Sequence, residues 1–206
     1  MEQQFTQAEA DRHNALVKRA GELSEGLLFI HDSYPPRRLS WLKRRRMRKA
    51  IQYYKEALEI NPAGWPSMWF IGKIYQRLGE HATSLEWFTR AYMLNPTEPE
   101  MAREAGLAAL DCGEAEAGLR LCQAAVDGKP DDFGLVCNLA LAHMLCGNDD
   151  AAVQCATRAV EADPDDTIYA NAQKLVCDVR DGKCRRPKML EEVYQKEMQV
   201  HPKEIH

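Results

Sequence analysis

The residues of this chain that could do chemistry are seven cysteines, six histidines, three Asp-Asp pairs and one dense basic run. A thiolate or imidazole metal site needs ligands at short, repeated spacing. Cys112, Cys122, Cys137, Cys146, Cys155, Cys177 and Cys184 contain no Cys-x-x-Cys pair and no His/Cys ligand spacing. Most of them fall at helical positions that suit a small apolar filler, while Cys184, in a predicted loop, is the one placed for a reactive or metal-binding thiol. The histidines are dispersed, no serine stands in a nucleophile-elbow context, and no glycine run could cradle a phosphate. Asp131-Asp132, Asp149-Asp150 and Asp165-Asp166 fall at predicted inter-helix turns, where a carboxylate caps the next helix and meets the positive end of its dipole. No catalytic residue, metal or cofactor is expected, and the chain does not read as an enzyme.

The basic run is the other chemical feature. Arg37, Arg38, Lys43, Arg44, Arg45, Arg46 and Arg48 lie within twelve residues, interleaved with Leu39, Trp41, Leu42 and Met47, in a chain of net charge −4. Such a cluster can bind an acidic protein surface, nucleic-acid phosphate or anionic lipid. It can equally be a solvated face that pairs with the acidic remainder of the chain.

The elements that position these residues are set by two registers in phase. Pro62, Pro96, Pro130 and Pro164 recur every 34 residues, and Gly79, Gly113 and Gly147 recur at the same interval. Glycine reaches positive φ without steric cost and suits a tight turn between two helices, whereas proline closes each helix pair. In residues 65–98, Met68, Ile71, Gly72, Tyr75, Ser84, Phe88, Ala91 and Pro96 occupy the large, small and aromatic places of a helix–turn–helix repeat, and the segment resembles the tetratricopeptide family. Residues 99–132 keep Ala105, Gly106, Ala125 and Pro130 but place Ala109 and Cys122 where aromatics belong. Residues 133–166 keep Leu139, Ala140, Ala152, Ala159 and Pro164, with His143 and Ala156 in the aromatic places. The resemblance implies an all-α solenoid of tandem repeats wound into a right-handed superhelix.

We read residues 1–206 as one such domain. A first repeat spans 6–62, pairing a helix over Thr6 to Ile30 with one over Met47 to Pro62, and residues 31–46 form a basic insertion inside it. Three regular repeats follow at 65–98, 99–132 and 133–166. A degenerate repeat and cap cover 167–200, with a helix over Thr167 to Arg180 and a closing helix over Lys188 to Val200, and 201–206 form a tail. Of the 206 residues 45% are hydrophobic, enough for one continuous core. The first residues lack the pattern of a signal peptide, and the apolar run from Leu135 to Cys146 is too short to span a bilayer, so a cytoplasmic location is expected.

The resemblance also implies a function. Such arrays bind a peptide or another protein on the face lined by the first helix of each repeat. Those places hold Trp69, Phe70, Lys73, Gln76 and Arg77, then Arg103, Glu104, Leu107, Leu110 and Asp111, then Cys137, Asn138, Leu141, Met144 and Leu145. The groove is expected to be polar at one end and apolar at the other. Leu107, Leu110, Leu141, Met144 and Leu145 either form an open strip for an apolar ligand or touch their own second helices and the terminal cap. Of the residues with which one subset of the family clamps a C-terminal carboxylate, only Asn138 is matched, so that clamp is not expected. The expectation is a non-catalytic adaptor, assembly factor or chaperone with a protein or peptide partner. The stretch from Glu98 through Leu119 is similar to bacterial secretion chaperones of the tetratricopeptide type. The rival reading is a regulatory or nucleic-acid-associated protein that uses residues 37–48.

Overall fold

The computed structural model describes residues 5–28 and 39–193, and among them every regular element is an α-helix. Contacts divide the chain into two compact units, Met1–Asn95 and Pro96–His206. Each is a set of helix hairpins with its own core.

The first unit holds α1 (Gln7–Ser24), α2 (Trp41–Ile60), α3 (Trp65–Leu78) and α4 (His81–Leu94). Thr6 starts α1 with a capping box: its hydroxyl accepts from Glu9 N at 3.3 Å, and Glu9 Oε2 accepts from Thr6 N at 2.9 Å. The Thr6 N–H and the Thr6 hydroxyl, both donating to Glu9 Oε2, hold the Glu9 carboxyl below its ordinary pKa. The core is filled by bulky side chains, among them Met47, Tyr54, Ile71, Ile74 and Phe88. Gly72 is required beside Phe88, because a Cβ there would lie 2.7 Å from the Phe88 ring. Ser84 fills the same crossing and donates its hydroxyl to Gly72 O at 2.9 Å.

The second unit holds α5 (Pro99–Asp111), α6 (Ala115–Gly128), α7 (Phe133–Leu145), α8 (Asp149–Ala162) and α9 (Thr167–Arg180), and residues 190–193 are again helical. Small residues line its helix crossings: Ala105, Ala109, Cys122, Ala125, Ala140, Ala152, Ala156 and Ala159 are all buried, beside larger core side chains such as Leu110, Val136 and Met144. At Gly106 a Cβ would stand 3.0 Å from Cys122 Sγ and 3.1 Å from Cys122 N, so α5 and α6 touch nearly backbone to backbone.

The turns follow the 34-residue register. Gly79, Gly113 and Gly147 have φ of 79°, 78° and 83°. After each, the next residue donates its N–H back five residues: Glu80 to Tyr75 O, Glu114 to Ala109 O and Asn148 to His143 O, all at 2.9 Å. Gly182 makes a fourth such turn, with Lys183 N donating to Asp178 O at 2.8 Å. The helices that precede the four prolines end at Ile60, Leu94, Gly128 and Ala162. Asp132 caps α7 and Asp166 caps α9, accepting from Leu135 N and from Ile168 and Tyr169 N respectively. Asp149 and Asp150 lie instead in the first turn of α8.

Three boundaries differ from those expected. α2 begins at Trp41, so residues 41–46 are not part of an insertion but the first turns of the second helix. Ser40 caps them, accepting from Lys43 N at 3.4 Å, and straight-chain Lys and Arg are good helix formers. The closing helix expected from Lys188 starts at Leu190, with Leu190 and Val193 buried at 1% and 3% exposure instead of forming a solvated outer face. Its continuation past Val193 and the tail at 201–206 lie outside the described residues. The helix expected from Thr6 to Ile30 ends earlier, at Ser24, where the chain turns through Glu25 and a positive-φ Gly26.

Candidate functional site

The exposed chemistry of the first unit gathers on α3. Trp69, Phe70, Lys73, Gln76 and Arg77 are all half-buried, as residues open to a partner should be. Phe70 stacks flat on Tyr54 of α2 with ring centroids 5.3 Å apart, and Trp69 meets Phe70 edge-on at 5.0 Å. Lys73 places its ammonium 5.5 Å from the Trp69 ring centroid. Burial holds the Arg77 guanidinium below its ordinary pKa, and the charge of Arg44 adds to the effect. Trp69 Nε1 is buried with no hydrogen-bond partner. The result is an aromatic shelf flanked by two cations, with an indole donor left unsatisfied.

The basic run is largely consumed in building this unit. Arg44 Nη2 donates to Leu78 O at 3.3 Å, at the end of α3, and Arg46 Nη2 donates to Glu22 O at 3.4 Å, in the last turn of α1. Both carbonyls lie at the negative ends of helix dipoles, where a cation is favoured. Arg48 Nη2 pairs with Glu80 Oε1 at 2.7 Å, and Arg45 lies 5.6 Å from the Trp41 ring centroid. Lys43 is exposed. Arg37 and Arg38 lie outside the described residues. The self-pairing alternative therefore describes Arg44, Arg46 and Arg48.

Of the two alternatives for the apolar places of the second unit, the closed one describes Leu110, Leu141 and Met144. Leu110 and Met144 have no exposed surface, Leu141 retains 7% and Cys137 4%. For Leu110 the reason is the small residue opposite: a Cβ on Gly118 of α6 would collide with Leu110 Cδ2, so the leucine lies against its own second helix. Leu107, Asn138 and Leu145 are half-buried. Arg103 sits between Glu100 and the buried Glu104, whose Oε1 accepts from Arg103 Nη2 at 2.9 Å. The segment after α9 then runs back over the hairpin tips. Arg186 Nη2 pairs with both carboxylate oxygens of Asp149 at 2.8 and 2.9 Å, and Lys188 O stands 3.9 Å from where a Gly113 Cβ would be. Arg186 and Asp149 are 37 residues apart, and no sequence spacing announces their pairing.

The cysteines form no disulfide among the described residues, with Cys122 and Cys137 buried and the other five half-buried, Cys184 included. Burial pushes the Cys122 thiol up to about 12, and the nearby Cys146 adds to it. Burial alone lowers the His143 pKa. Among the described residues no group of three or more His, Cys, Asp or Glu could hold a metal ion. No helix among them is long and apolar enough to cross a membrane.

Two family models, both described as tetratricopeptide repeat, match residues 40–99 and 134–166. A curated relative, the transcription factor tau 131 kDa subunit of Saccharomyces cerevisiae, is 29% identical over 75 residues, 36% of this chain and only 7% of that protein. Among solved structures, MamA from Desulfovibrio magneticus RS-1 superposes with a TM-score of 0.66 at 18% identity, covering 96% of this chain and 98% of that one. YrrB, a protein with an unusual peptide-binding site, gives 0.59 at 17% identity over 77% and 79% of the two chains. The first repeat domain of Spaghetti (RPAP3), bound to the HSP90 peptide SRMEEVD, gives 0.53 at 14% over 57% and 93%. A Thermobaculum terrenum O-GlcNAc transferase gives 0.57 at 17% identity over 76% of this chain, which spans 27% of that enzyme's length. These likenesses carry the fold. With the repeat's own turn recurring from Gly79 to Gly147 and family models matching residues 40–99 and 134–166, the chain carries tetratricopeptide repeats in both units.

Proposed function

We propose that the chain is a non-catalytic interaction module, an adaptor or chaperone, which binds a peptide segment of a partner protein on the α3 face of its first unit. One observation carries the reading: Trp69, Phe70, Lys73, Gln76 and Arg77 are half-open on one helix, whereas Leu110, Leu141 and Met144 at the matching places of the second unit are buried. Aromatic rings with cations beside them suit a peptide that carries apolar and acidic side chains. The peptide ligands named for YrrB and for the first domain of Spaghetti support the general class of partner.

Selection from a displayed peptide library tests the reading. The wild-type chain is expected to enrich peptides that combine acidic and apolar residues, and the double variant Lys73→Glu/Arg77→Glu to bind them at least roughly tenfold more weakly with unchanged helicity. Enriched peptides that bind both proteins equally would place the site elsewhere.

A further inference from the structure

We propose that the outward face of the first half of α2 is a docking surface for an anionic membrane. This goes beyond peptide binding at α3 and stands on different residues. Met47, Ala50, Ile51 and Tyr54 form the buried stripe of α2. By helical periodicity Arg45 and Lys49 lie opposite that stripe, with Trp41 and Leu42 on either side of them. Trp41 and Leu42 are 68% and 63% exposed, two consecutive large apolar residues at the start of a helix that has core to bury against elsewhere.

The charges of the run divide in the same way. Arg44, Arg46 and Arg48 turn to carbonyls and to Glu80 within the unit. Arg45 and Lys49 make no ion pair among the described residues and contact only aromatic rings, Trp41 at 5.6 Å and Tyr53 at 6.0 Å. Arg19 of α1 lies 5.3 Å from the centroid of the same Tyr53 ring, so the stripe Trp41–Arg45–Lys49–Tyr53 gains another cation. This patch is strongly basic in a chain of net charge −4, so its charge is local and points to an anionic surface.

The apolar pair selects which surface. A bilayer of anionic lipid offers phosphate and carboxylate headgroups to the cations, a headgroup-level layer in which an indole is at home, and acyl chains for a leucine. A nucleic acid offers phosphates and bases to stack on Trp41, yet gives Leu42 nothing. An acidic protein would need a matching apolar pocket beside its carboxylates. No described helix can cross the bilayer, so the attachment is peripheral.

Sedimentation of the full chain with lipid vesicles tests the proposal. Binding is expected to vesicles of phosphatidylcholine with phosphatidylserine, to fail on phosphatidylcholine alone, and to fall as salt is raised. The double variants Trp41→Ala/Leu42→Ser and Arg45→Glu/Lys49→Glu are each expected to weaken it by about tenfold or more. Their helicity and thermal midpoint should match the wild type, because these side chains are solvent-facing. Equal binding to both vesicle types, binding to neither, or full binding by the variants would overturn the proposal. So would preferential binding to a single-stranded oligonucleotide at equal phosphate. Peptide binding at Lys73 and Arg77 is read separately and should survive in these variants.

Discussion

The two units solve the same repeat with opposite materials. At one position of the second helix the first unit places Phe88 and the second places Cys122 and then Ala156, all three buried. A large ring needs a glycine opposite and finds it in Gly72. A small residue lets the helix pair close further, and at Gly106 the neighbouring backbone itself is 3.1 Å from a would-be Cβ. The closer packing of the second unit draws the first-helix leucines into its core, whereas the first unit, filled by rings, leaves Trp69, Phe70 and Lys73 at its surface. Bulky filling thus leaves a binding face open, and small-residue packing closes one.

Removing the filler at the matched position should separate the units most. Phe88→Ala is expected to cost about 3–5 kcal/mol, a ring's worth of buried contact plus the cavity left behind. Cys122→Ala deletes a single sulfur at the same place and should cost far less, so denaturant unfolding of the two variants side by side measures the difference. Similar losses would show that the second unit depends on Cys122 for more than volume.

Overpacking comes next in size. Gly106→Leu should cost on the order of 1–3 kcal/mol, because the atoms it meets include Cys122 N, which cannot swing aside. Thermal unfolding reads the change. An unchanged midpoint would mean that α5 and α6 can separate without loss, contrary to the close packing described.

The smallest effect is a pH slope. Cys122 titrates near 9.0 when unfolded and at about 12 in the fold, so the folded chain holds a proton that the unfolded chain loses in between. The stability contributed is fully present below pH 9.0 and is lost as pH rises toward 12, at about 1.4 kcal/mol per unit. Measured stability between pH 9 and 10 should fall in the wild type and fall less steeply in Cys122→Ala. Equal slopes would assign the alkaline loss to other groups.

What the sequence by itself determined is the repeat. Gly79, Gly113 and Gly147 need positive φ, Pro62, Pro96, Pro130 and Pro164 cannot continue a helix, and Asp132 and Asp166 supply capping oxygens, all local demands that a chain announces in its own spacing. The positions of Trp69, Phe70 and Lys73 on one helix follow from the same register. The start of α2 was less legible, since a run of arginines looks the same in solvent as against a helix end. Only the tertiary structure decided that Arg44 meets Leu78 O, Arg46 meets Glu22 O and Arg186 meets Asp149, because long side chains reach partners that sequence distance does not limit. It decided also that Leu110 and Met144 are core and Trp41 and Leu42 are not. Burial depends on what stands opposite, a glycine at 118 in one case and solvent in the other, and that is a property of two helices together.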